Sequence, residues 1–294
     1  MEREVGVLNG KLYLVGTPIG NLEDITYRAV RILREVDLIA AEDTRHTRKL
    51  LEYFDIKTPT TSYHEHNEIK KGPQLIEKIL KGSSIALVTD AGMPGISDPG
   101  YRLVLMAWEA NVEVIPIPGP TALITALVTS GLETDRFTFE GFLPRKKNQR
   151  KKKLQELIKE PRTMVFYEAP HRLIETLEDL KEVMGESRMV MVARELTKKH
   201  EEKVRGTVKE VLAKFKQDSP KGEIVLVVAG SNLAELKEET MGWEGMSVLE
   251  HLKVLMDAGL TKKQAIKKVA CERNLPKSEV YQIAIKIDVN EFKK

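Results

Sequence analysis

The stretch "SIALVTDAGMPGISDPGYR" (residues 84–102) sets the reading of the whole chain. An apolar run ends at Thr89, and a segment dense in glycine, proline and aspartate follows before an amphipathic helix starts. A buried strand that opens into a small-residue loop and then a helix is the repeating unit of a parallel α/β sheet, which binds ligands at the carboxyl ends of its strands. The loop is not a P-loop, since no Gly-Lys-Ser/Thr follows, and it lacks the G-x-G-x-x-G spacing of a dinucleotide fingerprint.

Outward from this stretch the pattern recurs. Strands are expected at "KLYLVG" (11–16), "DLIAA" (37–41), "VEVIPI" (112–117), "RFTFEGF" (136–142), "TMVFY" (163–167), "RMVMVA" (188–193), "EKVRGTV" (202–208) and "EIVLVVAG" (223–230). In the first half, helical spacing such as Ile25, Ala29, Ile32 and Leu33, with Asp24 placed as a cap, predicts the connecting helices. "RELTKKHE" is too short for a crossover helix, so the strands on either side of it are expected to pair antiparallel within a mixed sheet. The fold class expected is α/β, with an N-terminal domain over 1–117, a mixed-sheet domain over 118–232 and a helical appendage over 246–294. The first two divide at the proline-stiffened "IPIPGP" (115–120), and 231–246 reads as a polar linker. In the appendage, Ser247-x-x-Glu250 and Thr261-x-x-Gln264 are capping boxes, and Pro276 sits in a first turn. Two of its helices joined by "RNLP" fit either a packing appendage or a helix-turn-helix.

Composition narrows the setting. The 294 residues are 41% apolar and 31% charged, which fits a soluble globular protein too long for a single core. Cys271 is the only cysteine, so an internal disulfide and a multi-cysteine zinc site are excluded, and a cytoplasmic location is expected. The amino terminus does not resemble a signal peptide, and the longest apolar region (114–132) is broken by three prolines, so no membrane span is expected. His64-x-His66 lacks further ligands at matching spacing, and no metal is expected. Net charge is only +3, but seven of the nine residues from 145 to 153 are basic, a local footprint suited to a polyanion.

Four strand ends open into loops of small and proline residues: "VGTPIGN" (15–21), "TDAGMPGISDPG" (89–100), "IPGPTA" (117–122) and "FYEAPHR" (166–172). Glycine lets a ligand approach the main chain, and proline reduces the ordering entropy lost on binding. Phosphates favour helix amino termini with lysine or arginine, whereas Gly16–Gly20 and Ala91–Gly100 contain no basic residue. Such a wall suits a ligand carrying a cation and a purine. Asp90 and Asp98 would tolerate the positive charge, or bond to their own backbone as turn aspartates.

The motifs "YLVGTPIGNLEDITYRAVRIL", "AAEDTRHTRKLL", "SYHEHNE", "DAGMPGISDPG", "IPGPTALITAL" and "GFLPRKK", in this order, closely resemble the bacterial ribosomal RNA small-subunit methyltransferase I family. The resemblance covers residues 11–230 and implies a tetrapyrrole methylase fold that uses S-adenosylmethionine. It implies further that Asp90, Ala91, Gly92, Met93, Pro94, Gly95, Ile96, Thr121 and Ala122 line the cofactor site. Pro18, Tyr167 and Glu168 complete it. Met93 departs from the threonine expected after "DAG". The acceptor implied is the 2'-oxygen of a cytidine in 16S ribosomal RNA, with the RNA itself or the small ribosomal subunit as partner, and the implied assembly is a homodimer. A ribose hydroxyl is a poor nucleophile, so a base is expected: Glu168 first, His171 second. Arg45, His64, Arg145, Lys146, Lys147 and Lys198 are the expected RNA contacts, with Arg150 and Lys151 in the same basic run, and Arg194 is expected to pair with Glu195. The alternatives are a tetrapyrrole C-methyltransferase on the same fold and a non-catalytic nucleic-acid-binding protein.

Overall fold

The computed structural model describes residues 10–218, 220–231, 245–273 and 275–291, with side chains as far as 285. One compact unit runs to Gly230, and a second begins at Ser231. Most of the expected linker, 232–244, lies outside the described residues.

The first sheet holds β1 (Leu12–Val15), β2 (Leu38–Ala41), β3 (Thr60–Ser62), β4 (Ile85–Val88) and β5 (Val114–Ile117) in the order β3-β2-β4-β1-β5, every pair parallel. Its helices are α1 (Tyr27–Glu35), α2 (Thr44–Tyr53), α3 (Glu68–Leu80) and α4 (Tyr101–Glu109). Helices α1 and α2 bury Ala29, Ile32, Leu33 and Leu51 on one face of the sheet. Leu75, Ile79, Leu103 and Ala107 of α3 and α4 cover the other. Covered on both faces, the strands can be continuously apolar, which is why the run 85–88 is buried at every position. Helix α1 is capped by Thr26, whose Oγ1 accepts from the Ala29 N–H at 3.0 Å. Asp24, expected as that cap, instead ends a short 3-10 turn, because the chain turns once more before entering the helix.

This topology places a crevice. From β1 the chain leaves through α1 on one face, and from the adjacent β4 it leaves through α4 on the other. Neighbouring strands whose connections depart to opposite faces leave a gap at their carboxyl ends, where open α/β sheets bind ligands.

The second sheet holds β6 (Phe137–Phe142), β7 (Thr163–Glu168), β8 (Met189–Arg194), β9 (Glu202–Thr207) and β10 (Ile224–Val228) in the order β6-β7-β10-β8-β9. Only β6 and β7 run parallel, and β8 pairs antiparallel with β9. Helices α6 (Lys147–Leu157), α7 (Leu173–Met184) and α8 (Val208–Gln217) cover one face. Against the other face, Leu123, Ala126 and Leu127 of α5 (Ala122–Thr129) pack with Val165, Met191 and Val227, joined by Ile19 from the loop after β1. Loop residues that follow strands of the first sheet, Ile19 and Ala91, thus join the core of the second at the crevice.

The second unit consists of helices Val248–Asp257, Lys262–Glu272 and Lys277–Glu291, closed around Leu252, Ala265, Val269, Val280 and Ala284. Capping boxes at Ser247/Glu250 and Thr261/Gln264 start the first two. Among the described residues no helix is long and apolar enough to cross a membrane.

Candidate active site

Three loops are locked together at the crevice. Thr17 and Gly92 exchange backbone hydrogen bonds at 2.9 and 3.0 Å, joining the loop after β1 to the loop after β4. Thr17 Oγ1 also donates to the Thr89 carbonyl at 3.1 Å. Gly16 and Gly119 meet main chain to main chain: a Cβ on Gly16 would lie 2.7 Å from Gly119 Cα, so neither position admits a side chain unless the loops part. Gly92 and Gly95 adopt φ of 84° and 88°, conformations open to glycine at little cost. Ser97, Glu195 and Thr197 hold positive φ without that freedom, and all three lie in loops bordering the crevice, where such strain tends to collect.

A cavity of about 380 Å³ opens there, walled by the loop after β4, the start of α5 and the facing ends of the second sheet. Of the residues expected from sequence to hold a cofactor, Ala91, Gly92, Met93, Ile96, Thr121, Ala122, Tyr167 and Glu168 lie on its wall. Pro18, Asp90, Pro94 and Gly95 do not line it. Pro94 is buried behind the loop, and Asp90 Oδ1 accepts from the Asp43 N–H at 3.1 Å, tying β4 to the end of β2.

Phe142, Ser97, Ile19 and the 222–225 segment carried no expected role, and all of them line the cavity together with Asp98, which was expected to tolerate a positive charge. Phe142 is placed by a β-bulge between Phe139 and Gly141, where Gly141 takes a φ of 64°. A bulge re-aims the side chain that follows it. Phe142 thus reaches the rim, 57% exposed, with its ring centroid 5.6 Å from that of Tyr167, and Phe139 packs edge-on to Tyr167 at 5.0 Å. An aromatic at a glycine-containing bulge was the available signal.

The wall has a sign of charge. No lysine or arginine lines it. Burial, and then the Glu42 carboxylate, push Asp98 up to about 6 from 3.8, and the Asp90 carboxylate adds to the effect. Asp90 is itself raised by burial and by Glu42. Tyr167 is raised by burial first and then by Asp98. Glu42 accepts from Thr89 Oγ1 at 2.6 Å, which fixes this acidic group at the end of β4. Carboxylates crowded this way gain from any cation that enters. A ligand with a sulfonium centre and an amphipathic purine would find a carboxylate at Asp98, apolar faces at Tyr167 and Phe142, and main-chain polar groups at 91–93 and 121–122.

Several of the residues expected to act in the site are held by other groups of the protein. Glu168, the first choice as base, is 3% exposed and fully engaged. Its Oε2 accepts from Thr176 Oγ1 at 2.6 Å, its Oε1 accepts from the Ala169 N–H at 2.8 Å, and Arg172 Nε lies 3.4 Å away. This carboxylate anchors the end of β7, and so Tyr167, to the start of α7. His171 stands exposed in the turn Pro170–Arg172 and does not itself line the cavity, although the preceding Pro170 does. Arg45 is exposed, but its guanidinium is paired with Asp43, the cap of α2, which holds the Asp43 carboxyl far below its usual range. His64 accepts within a local cluster, its Nε2 lying 3.1 Å from Asn67 Nδ2. Lys198, expected to meet RNA, donates to Glu195 at 2.9 Å and Glu223 at 3.1 Å, binding its loop to the turn before β10. Arg194 pairs with Glu202 and not with Glu195.

The basic run divides in two. Arg145, Lys146 and Lys147 are exposed and make no ion pair among the described residues. Arg150 is 1% exposed, its Nε donating to Asp179 Oδ2 at 2.7 Å, and Lys151 pairs with Glu182. These two belong to the packing of α6 on α7. Among the described residues no group of three His, Cys, Asp or Glu is placed to hold a metal ion.

Comparison with known proteins agrees with this architecture. Residues 11–212 match the family model described as Tetrapyrrole (Corrin/Porphyrin) Methylases. A protein of Synechocystis sp. named ribosomal RNA small subunit methyltransferase I is 52% identical over 96% of this chain and 99% of its own length. Proteins of the same name from Bacillus subtilis and Escherichia coli O157:H7 are 51% and 47% identical, over 92% and 94% of this chain and 93% and 95% of their own lengths. Among solved structures, a cobalt precorrin-4 methyltransferase superposes with a TM-score of 0.57 at 16% identity, over 74% of this chain and 94% of its own. A uroporphyrin-III C-methyltransferase from Thermus thermophilus complexed with S-adenosyl homocysteine gives 0.54 at 19% identity, over 74% of this chain and 97% of its own, and these two likenesses bear on the fold alone. With half its residues identical to those relatives across nearly the whole length, and with the methylase fold built around a cation-tolerant crevice, the chain belongs to the ribosomal RNA small subunit methyltransferase I family of tetrapyrrole methylases.

Proposed function

We propose that this protein methylates the 2'-oxygen of a cytidine ribose in 16S ribosomal RNA, within the small ribosomal subunit, using S-adenosylmethionine. The observation that carries the reading is the cavity wall: it is free of lysine and arginine and bears a crowded carboxylate at Asp98, while Phe142 on its rim is followed within a few residues by the unpaired Arg145, Lys146 and Lys147. A cation-seeking pocket beside a polyanion-seeking segment fits a methyl donor and an RNA acceptor. When bound, S-adenosylmethionine supplies an activated methyl group on a positive sulfur. The chain's own part is to hold an acceptor oxygen in line with that group and to exclude water, with Ala91–Met93 and Thr121–Ala122 as a stiff wall. Asp98, in place of Glu168 or His171, takes the proton from the ribose hydroxyl; it faces the cavity, and its raised value suits exchange near neutral pH.

The direct test supplies labelled S-adenosylmethionine with small ribosomal subunits, protein-free 16S RNA or uroporphyrinogen III as acceptors. Label is expected in RNA, on a cytidine whose 3' linkage resists alkali because its 2'-oxygen is blocked. Label in the tetrapyrrole, or in no acceptor, rejects the reading. In the same assay, replacing Arg145, Lys146 and Lys147 together with alanine is expected to raise KM for RNA about tenfold and to flatten its salt dependence. Cofactor affinity should be unchanged.

A cytoplasmic homodimer belongs to the same proposal. Tyr101, Leu105 and Trp108 recur at helical spacing on α4 and are 71%, 44% and 69% exposed, an apolar stripe that a second copy would cover. Sedimentation equilibrium should give twice the mass of the chain, and Trp108→Glu should shift it toward the monomer. A monomeric wild type overturns the dimer.

A further inference from the structure

The second unit carries a feature that the methylation chemistry does not use. Its last two helices, Lys262–Glu272 and Lys277–Glu291, bury Ala265, Val269, Val280 and Ala284 toward their own core. On the other side they leave a groove of about 750 Å³. Lys263 and Lys267 come from one wall, Lys277 and Tyr281 from the other, with Ile266 and Ile285 between them, and among the described residues no carboxylate lines it. The three lysines are exposed and make no ion pair among the described residues, whereas neighbouring Lys268 pairs with Glu272. Ile266 is 9% exposed and forms the floor, while Tyr281 at 54% presents an open ring face.

We propose that this groove is a second RNA-binding site, in which Lys263, Lys267 and Lys277 neutralise phosphates and Tyr281 stacks on an unpaired base of the small-subunit RNA. The inference rests on the function proposed above. Charge complementarity selects the occupant: unpaired ammonium groups around an aromatic face are the combination that grips a flexible nucleic-acid strand. Lysine acts as a point charge on phosphate and does not read sequence, so the groove contributes affinity and orientation while the cavity of the first unit performs the transfer.

The test uses the full chain with protein-free 16S RNA and with intact small subunits. Lys263→Glu, Lys267→Glu and Lys277→Glu combined are expected to weaken binding to both at least about tenfold and to reduce the slope of log affinity against log salt by about 2 to 3. Tyr281→Ala should weaken binding roughly tenfold with little change in slope. In each variant kcat at saturating RNA and the affinity for S-adenosylmethionine should match wild type. Lys-to-Arg changes at the same three positions should restore binding. If wild type methylates RNA and the triple variant binds it with unchanged affinity and slope, the groove is not an RNA site. Loss of binding to intact subunits but not to protein-free RNA assigns the groove to a ribosomal protein and also overturns the proposal. If wild type transfers no label to RNA, the function reading falls and this inference with it.

Discussion

Arg150→Met is expected to destabilise the first unit by about 3–5 kcal/mol, the largest effect of any single basic-residue change in the run 145–153. The guanidinium and Asp179 are 1% and 2% exposed and 2.7 Å apart, so removing the arginine leaves a buried carboxylate whose one remaining cation among the described residues is Lys151 Nζ, 3.8 Å away. Arg150 Nη2 also lies 3.3 Å from Glu175 Oε2, and Nη1 donates to the Arg145 carbonyl at 3.3 Å, so one side chain holds α6 to α7 and closes the loop ahead of α6. Lys152→Met on the exposed side of the same helix should change stability by less than about 0.5 kcal/mol. Removing both buried charges, as Arg150→Met with Asp179→Leu, should recover most of the loss, because no uncompensated ion then remains. Urea unfolding of the four proteins at pH 7 decides it. If Arg150→Met costs no more than Lys152→Met, the buried pair is not what joins these helices.

Arg150 also marks where the sequence stops being legible. It lies among seven basic residues that look alike, and its burial depends on Asp179, which a separate helix brings to it. The sheets were readable because strands covered on both faces must be continuously apolar, as 85–88 and 224–228 are. Strand β3 was not, since "TTS" at an edge of the sheet is short, polar and half-buried and gives no periodic signal. The cavity wall was legible where glycine and proline mark places at which main chain must come close, as at Gly16, Gly92 and Gly119. Its chemistry was less so. Glu168 and Asp98 are both acidic residues in strand-end loops; Thr176 and Arg172 occupy the first, while burial and Glu42 crowd the second. Which carboxylate stays available is decided by partners that only the fold brings together.

Asp98→Asn should lower kcat for RNA methylation by about 10² to 10⁴, with S-adenosylmethionine still bound, if this carboxylate takes the ribose proton. The change is nearly isosteric, so the loop after β4 should keep its form, and the group lost is the proton acceptor. The pH dependence gives a second readout. Burial, with the Glu42 and Asp90 carboxylates adding to it, pushes Asp98 up to about 6 from its ordinary 3.8. Its contribution to folding is therefore fully present below pH 3.8 and is lost as pH rises through about 6. A cation in the cavity favours the ionised form, so affinity for S-adenosylmethionine should rise as pH increases from 5 to 7, and binding at pH 6 should release protons. The demethylated product carries a neutral sulfur and should show much less of both. Calorimetry in two buffers of different ionisation enthalpy measures that release, and Asp98→Asn should abolish it. A variant that turns over at the wild-type rate, or a product that binds with the same pH dependence as the methyl donor, removes Asp98 from the reaction and leaves it as a turn residue.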